Sequence, residues 1–208
     1  MLKRLLLLAL VSTLFSCGLE QSAVQASNPR MPDWAANAVI YEVNVRQFSE
    51  AGTFAAVKSQ LPRLRDLGVE VLWLMPIQPI SLKNRKGSLG SPYSVADYTE
   101  VNPAYGTDAD FAALVDAAHA QGMKVIIDWV ANHTGLDHVW TKQDPGFYKQ
   151  NAEGEFYDTN GWKDVIDLNY YSGPMRKAMI EAKRKWDASL KAKKLFSKWR
   201  SEEHTSEL

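Results

Sequence analysis

The sequence has a single cysteine, Cys17, so no disulfide can form within the chain. It has no excess of either charge. Its 24 Lys and Arg balance 24 Asp and Glu, so nothing in the charge argues for a nucleic-acid or anionic-membrane partner. Its longest N-terminal apolar run, Leu5 to Phe15, falls well short of the roughly 20 residues that a bilayer span needs. An HExxH zinc pair, a paired CxxC and an internal repeat are also missing, which removes the most readable zinc, redox and solenoid patterns. What remains is ordinary globular composition, 46% apolar and 23% charged over 208 residues. That length suits one medium domain with a sizeable core.

The N-terminus carries an address. Lys3 and Arg4 precede the short apolar run, and a basic start before a short apolar core is the pattern of a secretory signal. Leu14 to Cys17, "LFSC", resembles a bacterial lipobox, in which the cysteine becomes the lipidated first residue of the mature protein. Phe15 stands where that motif usually has a small residue. Residues 1–17 are therefore expected to be a lipoprotein-type signal peptide with Cys17 as the lipidation site. Residues 18–35 are polar and proline-containing and read as a tether. The expected location is outside a bacterial cell's cytoplasm, held at a membrane by lipid in the periplasm or at the cell surface.

Beyond the tether, strand and helix patterns alternate. Residues 38–48 are β-rich. Residues 52–68 read as a helix with Thr53 as N-cap, Gly68 as stop and a kink at Pro62. Residues 69–77 form a second strand and 78–107 a long loop rich in Gly, Ser, Pro and Tyr. Residues 107–122 form a helix capped at Thr107 or Asp108, and 123–130 a third strand. Residues 132–172 read as irregular, polar and aromatic. Pro174 suits the first turn of a last helix. This order implies a parallel sheet. The near-continuous apolar character of strands two and three fits strands covered on both faces. A doubly wound sheet and a (β/α) barrel both remain open, and the long segments after strands two and three favour the barrel.

One residue disturbs the third strand. Asp128 lies in "KVIIDWVANH", residues 124–133, and an unpaired carboxylate inside an apolar strand is very costly. It must be paired, or it must stand at the strand end facing a cleft. Asn132 and His133 follow closely, so a carboxylate, an amide and an imidazole share one strand lip, where a barrel builds its sites. Spacing alone serves equally well for an aspartate capping a loop, with Asn132 and His133 as turn residues. "GSLG", residues 87–90, is no phosphate loop, since no helix follows it. His119 reads as structural and His138 as a loop residue, and most of the seven Trp and eight Tyr read as core.

At this point the sequence resembles the α-amylase superfamily of glycoside hydrolases (the family thirteen type). "DWVANH" resembles its Asp-x-x-x-Asn-His motif at the end of the third barrel strand. "VIYEVNVRQF" and "LGVEVLWLMPI" resemble its first two strands. "SPYSVADYTEVNPAYGT" resembles the segment with a substrate-stacking tyrosine, and "VIDLNY", residues 165–170, the motif of the small domain inserted after strand three. The resemblance runs from about Ala38 to Ala182. It implies an α/β fold, the N-terminal portion of a (β/α)8 TIM barrel. Residues 36–131 would form the first three βα units, 132–172 the inserted small domain and 173–199 a helix.

The resemblance also implies roles. Tyr93 would stack on the sugar that is cleaved. Asp128 would join the polar network around that sugar, and His133 would hydrogen-bond it. Asn132 and Asp167 match positions that bind Ca²⁺ in many members, and both offer the hard oxygens that this ion takes. Asp97 matches a recurrent position in the tyrosine segment. Ser91 and Pro92 stand where many members have His-Gly, a departure that bears on which glucan is taken.

The superfamily's nucleophile and acid/base lie on its fourth and fifth strands, and the similarity fades before them. Residues 200–208, "RSEEHTSEL", read as a translated sequencing-library adapter. The expectation is an α-glucan-active retaining enzyme interrupted before its catalytic pair. Its substrate would be starch, glycogen or maltodextrin. The chain as written is expected neither to fold stably nor to catalyse. A transglycosylase of the branching or trehalose-forming type, or a non-catalytic carbohydrate-binding relative, would carry the same barrel.

Overall fold

The computed structural model describes residues 33–190. Cys17, the signal segment, nearly all of the tether, and the adapter-like residues 200–208 lie outside the described residues. Met1–Ala36 and Asn37–Leu208 are separate units. The described part of the first is one 3-10 turn, Asp33–Ala35. The second contains everything that follows.

Three strands, β1 (Ile40–Val43), β2 (Val71–Leu74) and β3 (Lys124–Ile127), form a parallel sheet in the order β1-β2-β3. Ile40 pairs with Val71 and Val71 with Lys124, in register to the end of each strand. The expected strand over 38–48 is shorter than its β-rich composition suggested. The Asn44 carbonyl accepts from Gln47 N at 3.0 Å and the Asn44 amide donates to Gln47 Oε1 at 3.2 Å. That closes a turn, and Val45–Phe48 continue as a short helix, α1.

The expected helix over 52–68 is two helices, α2 (Phe54–Ser59) and α3 (Leu61–Asp66). Pro62 has no N–H to give, so the ladder breaks at Gln60 and restarts with the proline in a first turn, where its donor is not needed. Thr53 Oγ1 accepts from Ala56 N at 3.3 Å, the N-cap that the sequence predicts. In α4 (Asp108–Ala120), Thr107 and Asp110 cap each other: Asp110 N donates to Thr107 Oγ1 at 3.2 Å, and Thr107 N to Asp110 Oδ2 at 2.9 Å. These helices cover one sheet face. Leu72, Leu74 and Val125 pack with Phe54, Val57, Leu61, Leu64, Phe111 and Leu114 in one buried cluster. Each such side chain stabilises the fold by about 1.5–3 kcal/mol.

Residues 132–172 are not wholly irregular. β4 (His133–Gly135) pairs antiparallel with β5 (Val165–Asp167), which sets His133 opposite Asp167. Three-residue strands are too short to print a period in the sequence. Gly135 N also donates to Val95 O at 2.8 Å, and Val95 bridges Ile80. The long loop after β2 is thereby laced to the small sheet. A Cβ at Gly135 would lie 2.1 Å from Ser81 Cβ, so only glycine fits there. A short helix, α5 (Trp140–Gln143), lies between β4 and β5.

The last described helix is α6 (Gly173–Leu190). Ser172 Oγ accepts from Met175 N at 3.3 Å, and Pro174 sits in the first turn. Met175, Met179 and Ala182 of α6 join Val95, Tyr98, Trp140, Tyr148, Ile166 and Leu168 in a second buried cluster. Trp186 links α6 to the loop after β2: its Nε1 donates to the Tyr98 carbonyl at 2.6 Å and its ring meets Phe111 at 5.7 Å.

Candidate active site

Asp128 follows the last residue of β3, and its N–H donates to Leu74 O at 2.8 Å. Its carboxylate therefore stands just beyond the C-terminal edge of the parallel sheet. Tyr93, from the loop after β2, donates its hydroxyl to Asp128 Oδ2 at 2.8 Å. The cost of an aspartate in an apolar strand is met by strand-end placement and a phenol partner. Burial, the bond to Asp128 and the charges of Asp128 and Glu42 push the Tyr93 phenol up to about 12, so it remains a donor at neutral pH.

His133 opens β4 and is buried. Tyr98 holds the chain that leads to it: the Tyr98 hydroxyl lies 2.7 Å from Val130 O and 3.0 Å from His133 O. Burial lowers the pKa of His133, and the nearby Asp158, Asp167 and Asp164 draw it partly back. The imidazole is neutral at pH 7, a state that can hydrogen-bond a hydroxyl without adding charge.

Tyr93 and His133 line one cavity of about 250 Å³, with Lys86, Ser91, Trp162, Asp164 and Val165. The sequence pointed to the first two. It missed Lys86, Trp162 and Asp164, because they come from a loop and from the segment read as irregular, where no period or motif marks them. Asp97 takes no part here. Its Oδ1 accepts from Thr99 N and Thr99 Oγ1, both at 2.7 Å, which is a turn-forming role. His138 is the loop residue that the sequence suggested, lying between β4 and α5, and it is fully buried there. Its ring packs 4.9 Å from Tyr98 and 5.0 Å from Trp140, and Nδ1 accepts from Trp140 N at 3.1 Å.

Asn132 and Asp167 lie beside each other at the small sheet, where His133 pairs with Asp167 and Leu168 N donates to Asn132 O at 3.1 Å. The Asn132 amide Nδ2 lies 3.2 Å from His133 Nδ1. Asp167 Oδ2 accepts from Lys149 Nζ at 2.8 Å and also from the Thr159 hydroxyl. Burial raises the Asp167 carboxyl, but the hydrogen bonds from Lys149 and Thr159 outweigh it and hold it below the ordinary range. Ca²⁺ takes about 6–8 oxygens. Among the described residues no group of three His, Cys, Asp or Glu is placed to hold a metal ion. Lys149 and Thr159 both serve Asp167 Oδ2, while its Oδ1 is buried without a protein partner.

Residues 31–207 match the family described as "Alpha amylase, catalytic domain". A trehalose synthase of Thermus thermophilus is 42% identical over 117 residues, covering 54% of this chain and 11% of that protein. The alpha-amylase MalA of Haloarcula japonica is 30% identical over 168 residues, covering 74% and 24%. The crystal structure of an alpha-amylase from Lactobacillus plantarum superposes with a TM-score of 0.73 at 46% identity, over 74% of this chain and 37% of that one. The chain thus spans well under half the length of each of these relatives.

Proposed function

Since the chain belongs to the alpha-amylase family, with its catalytic-domain match running through residues 31–207, we propose that it is the N-terminal part of a retaining enzyme that acts on α-glucosidic bonds. One observation carries this reading. At the C-terminal end of β3, the Tyr93 hydroxyl holds Asp128 at 2.8 Å, and Tyr93 and His133 line one cavity. A phenol ring for the apolar face of a sugar, a carboxylate for its hydroxyls and a neutral imidazole are the parts that a neutral glycosyl site needs. The nucleophile and the acid/base would come from later strands, with their carboxyls about 5 Å apart. Substrates would be starch, glycogen or maltodextrin.

The test begins with long-read sequencing of the source DNA across the codons for Ala182 onward, followed by expression of the complete reading frame. The expected product carries an arginine two residues before an aspartate, then a later glutamate, and releases sugars from maltotriose with retention at the anomeric carbon. A stop codon near Arg200, or no turnover of any α-glucoside, overturns the reading. Glucosyl transfer is a second reading, favoured by the similarity to trehalose synthases. Conversion of maltose to trehalose would select it.

The export reading belongs with this one. Lys3, Arg4, the run to Phe15 and "LFSC" support a lipid anchor at Cys17. Labelled palmitate is expected to enter the wild-type protein in a bacterial host and not Cys17→Ser. Equal labelling of both would sink the anchor.

A further inference from the structure

The cavity beside Tyr93 has a second wall that the family motifs do not include. Trp162 is 49% exposed, high for so large an apolar ring. It is held in place rather than loose. Its backbone N–H donates to Asp158 Oδ1 at 2.9 Å, and its ring meets that of His133 at right angles, with centroids 5.6 Å apart. Lys86 reaches over from the loop after β2. Its Nζ lies 5.8 Å from the Trp162 ring centroid and 2.8 Å from Asp164 Oδ1. Asp164 is buried, with its carbonyl accepting from Ser94 Oγ at 2.7 Å. Asn84 binds the same loop to the small domain by donating to Lys163 O at 3.1 Å. An exposed indole, a fixed donor and a fixed acceptor therefore face one cavity from two directions.

We propose that Trp162, with the Lys86–Asp164 ion pair, forms a second sugar position adjoining Tyr93, and that it takes a neutral hexosyl ring rather than a phosphorylated one. The indole offers a flat apolar face to the ring's C–H groups. Lys86 donates to hydroxyls and Asp164 accepts from them. The preference for a neutral ring follows from charge. Lys86 already balances Asp164, and Asp158 and Asp167 stand near enough to act on His133. A phosphate would compete with a buried carboxylate for one ammonium and would meet further negative charge nearby. Two adjoining positions make the site read the length of its ligand.

This inference rests on the α-glucoside reading above, and one titration separates the two. Calorimetry of the protein encoded by the complete reading frame would use maltotriose, methyl α-glucoside and glucose 6-phosphate. In Trp162→Ala, maltotriose binding is expected to weaken roughly tenfold, as loss of an aromatic contact does, while methyl α-glucoside binding weakens far less. Trp162→Phe should restore part of the loss, and an unchanged melting temperature shows that the fold is kept. Equal weakening of both glucosides, or of neither, overturns the second position and leaves the first reading intact. Tighter binding of glucose 6-phosphate than of methyl α-glucoside overturns the neutral preference. A wild-type protein that binds neither glucoside overturns the α-glucoside reading and the second position with it.

Discussion

Proton uptake by His138 is the residue-scale weakness of this fold. Burial pushes its pKa from 6.5 to about 4, and Asp97 and Asp137 recover only part of that. The unfolded chain therefore binds this proton more readily than the folded one. The associated stability is complete above pH 6.5 and drains away as pH falls toward 4. It amounts to about 3 kcal/mol for a shift of this size. His138→Asn keeps an acceptor for Trp140 N and removes the titration. Urea midpoints of the full-length product are expected to drop between pH 7.5 and 4.5 in the wild type and far less in the variant. Parallel curves would contradict the assignment. Nothing near position 138 announces its burial, because the rings that enclose it include Tyr98, forty positions upstream. Asp128 is different. Its apolar neighbours make a lone carboxylate conspicuous, so its strand-end position is legible from the amino-acid order alone.

At the scale of elements, helical periods and the apolar runs around β2 and β3 are readable, and three-residue strands are not. α4 shows its cap, its period and its terminal Gly122 (φ +76°) in sequence. The break between α2 and α3 follows from Pro62 alone. β4 and β5, with three residues each, have no room for a period, and their pairing depends on contacts made far along the chain. The small domain they build also carries a cation of its own, partly exposed, on a buried carboxylate. Lys149 holds Asp167 at 2.8 Å, and that bond raises the Lys149 pKa in turn. A chelator is therefore expected to leave the melting temperature of the full-length product unchanged. Lys149→Met should lower it by leaving a buried carboxylate short of its partner. A chelator effect that added calcium reverses, with Lys149→Met neutral, would show that a divalent ion and not the lysine holds the domain.

For the whole molecule, the open sheet matters most. β2 is paired on both sides, but among the described residues no strand pairs with the outer edge of β1 or of β3. Val39 and Ile40, at the β1 edge, are 50% and 56% exposed. Unpaired edges with apolar side chains invite pairing between chains. The 208-residue chain by itself is expected to self-associate and to lose structure gradually in urea, whereas the full-length product unfolds in one cooperative step. Sedimentation and denaturation curves check both. A monomeric 208-residue chain with a sharp transition would contradict the expectation. The barrel arrangement itself is shared with the Lactobacillus plantarum alpha-amylase over 74% of this chain.

The bond from Trp186 to the Tyr98 carbonyl has a consequence in time. Tyr98 anchors the segment that carries His133, yet the indole that pins Tyr98 is made 88 residues later. Synthesis proceeds at about 5–20 residues per second. For several seconds after Tyr93 and Asp128 have both left the ribosome, the nascent cavity lacks its last fastening. A chaperone that shields the emerging chain would have to hold it until α6 arrives.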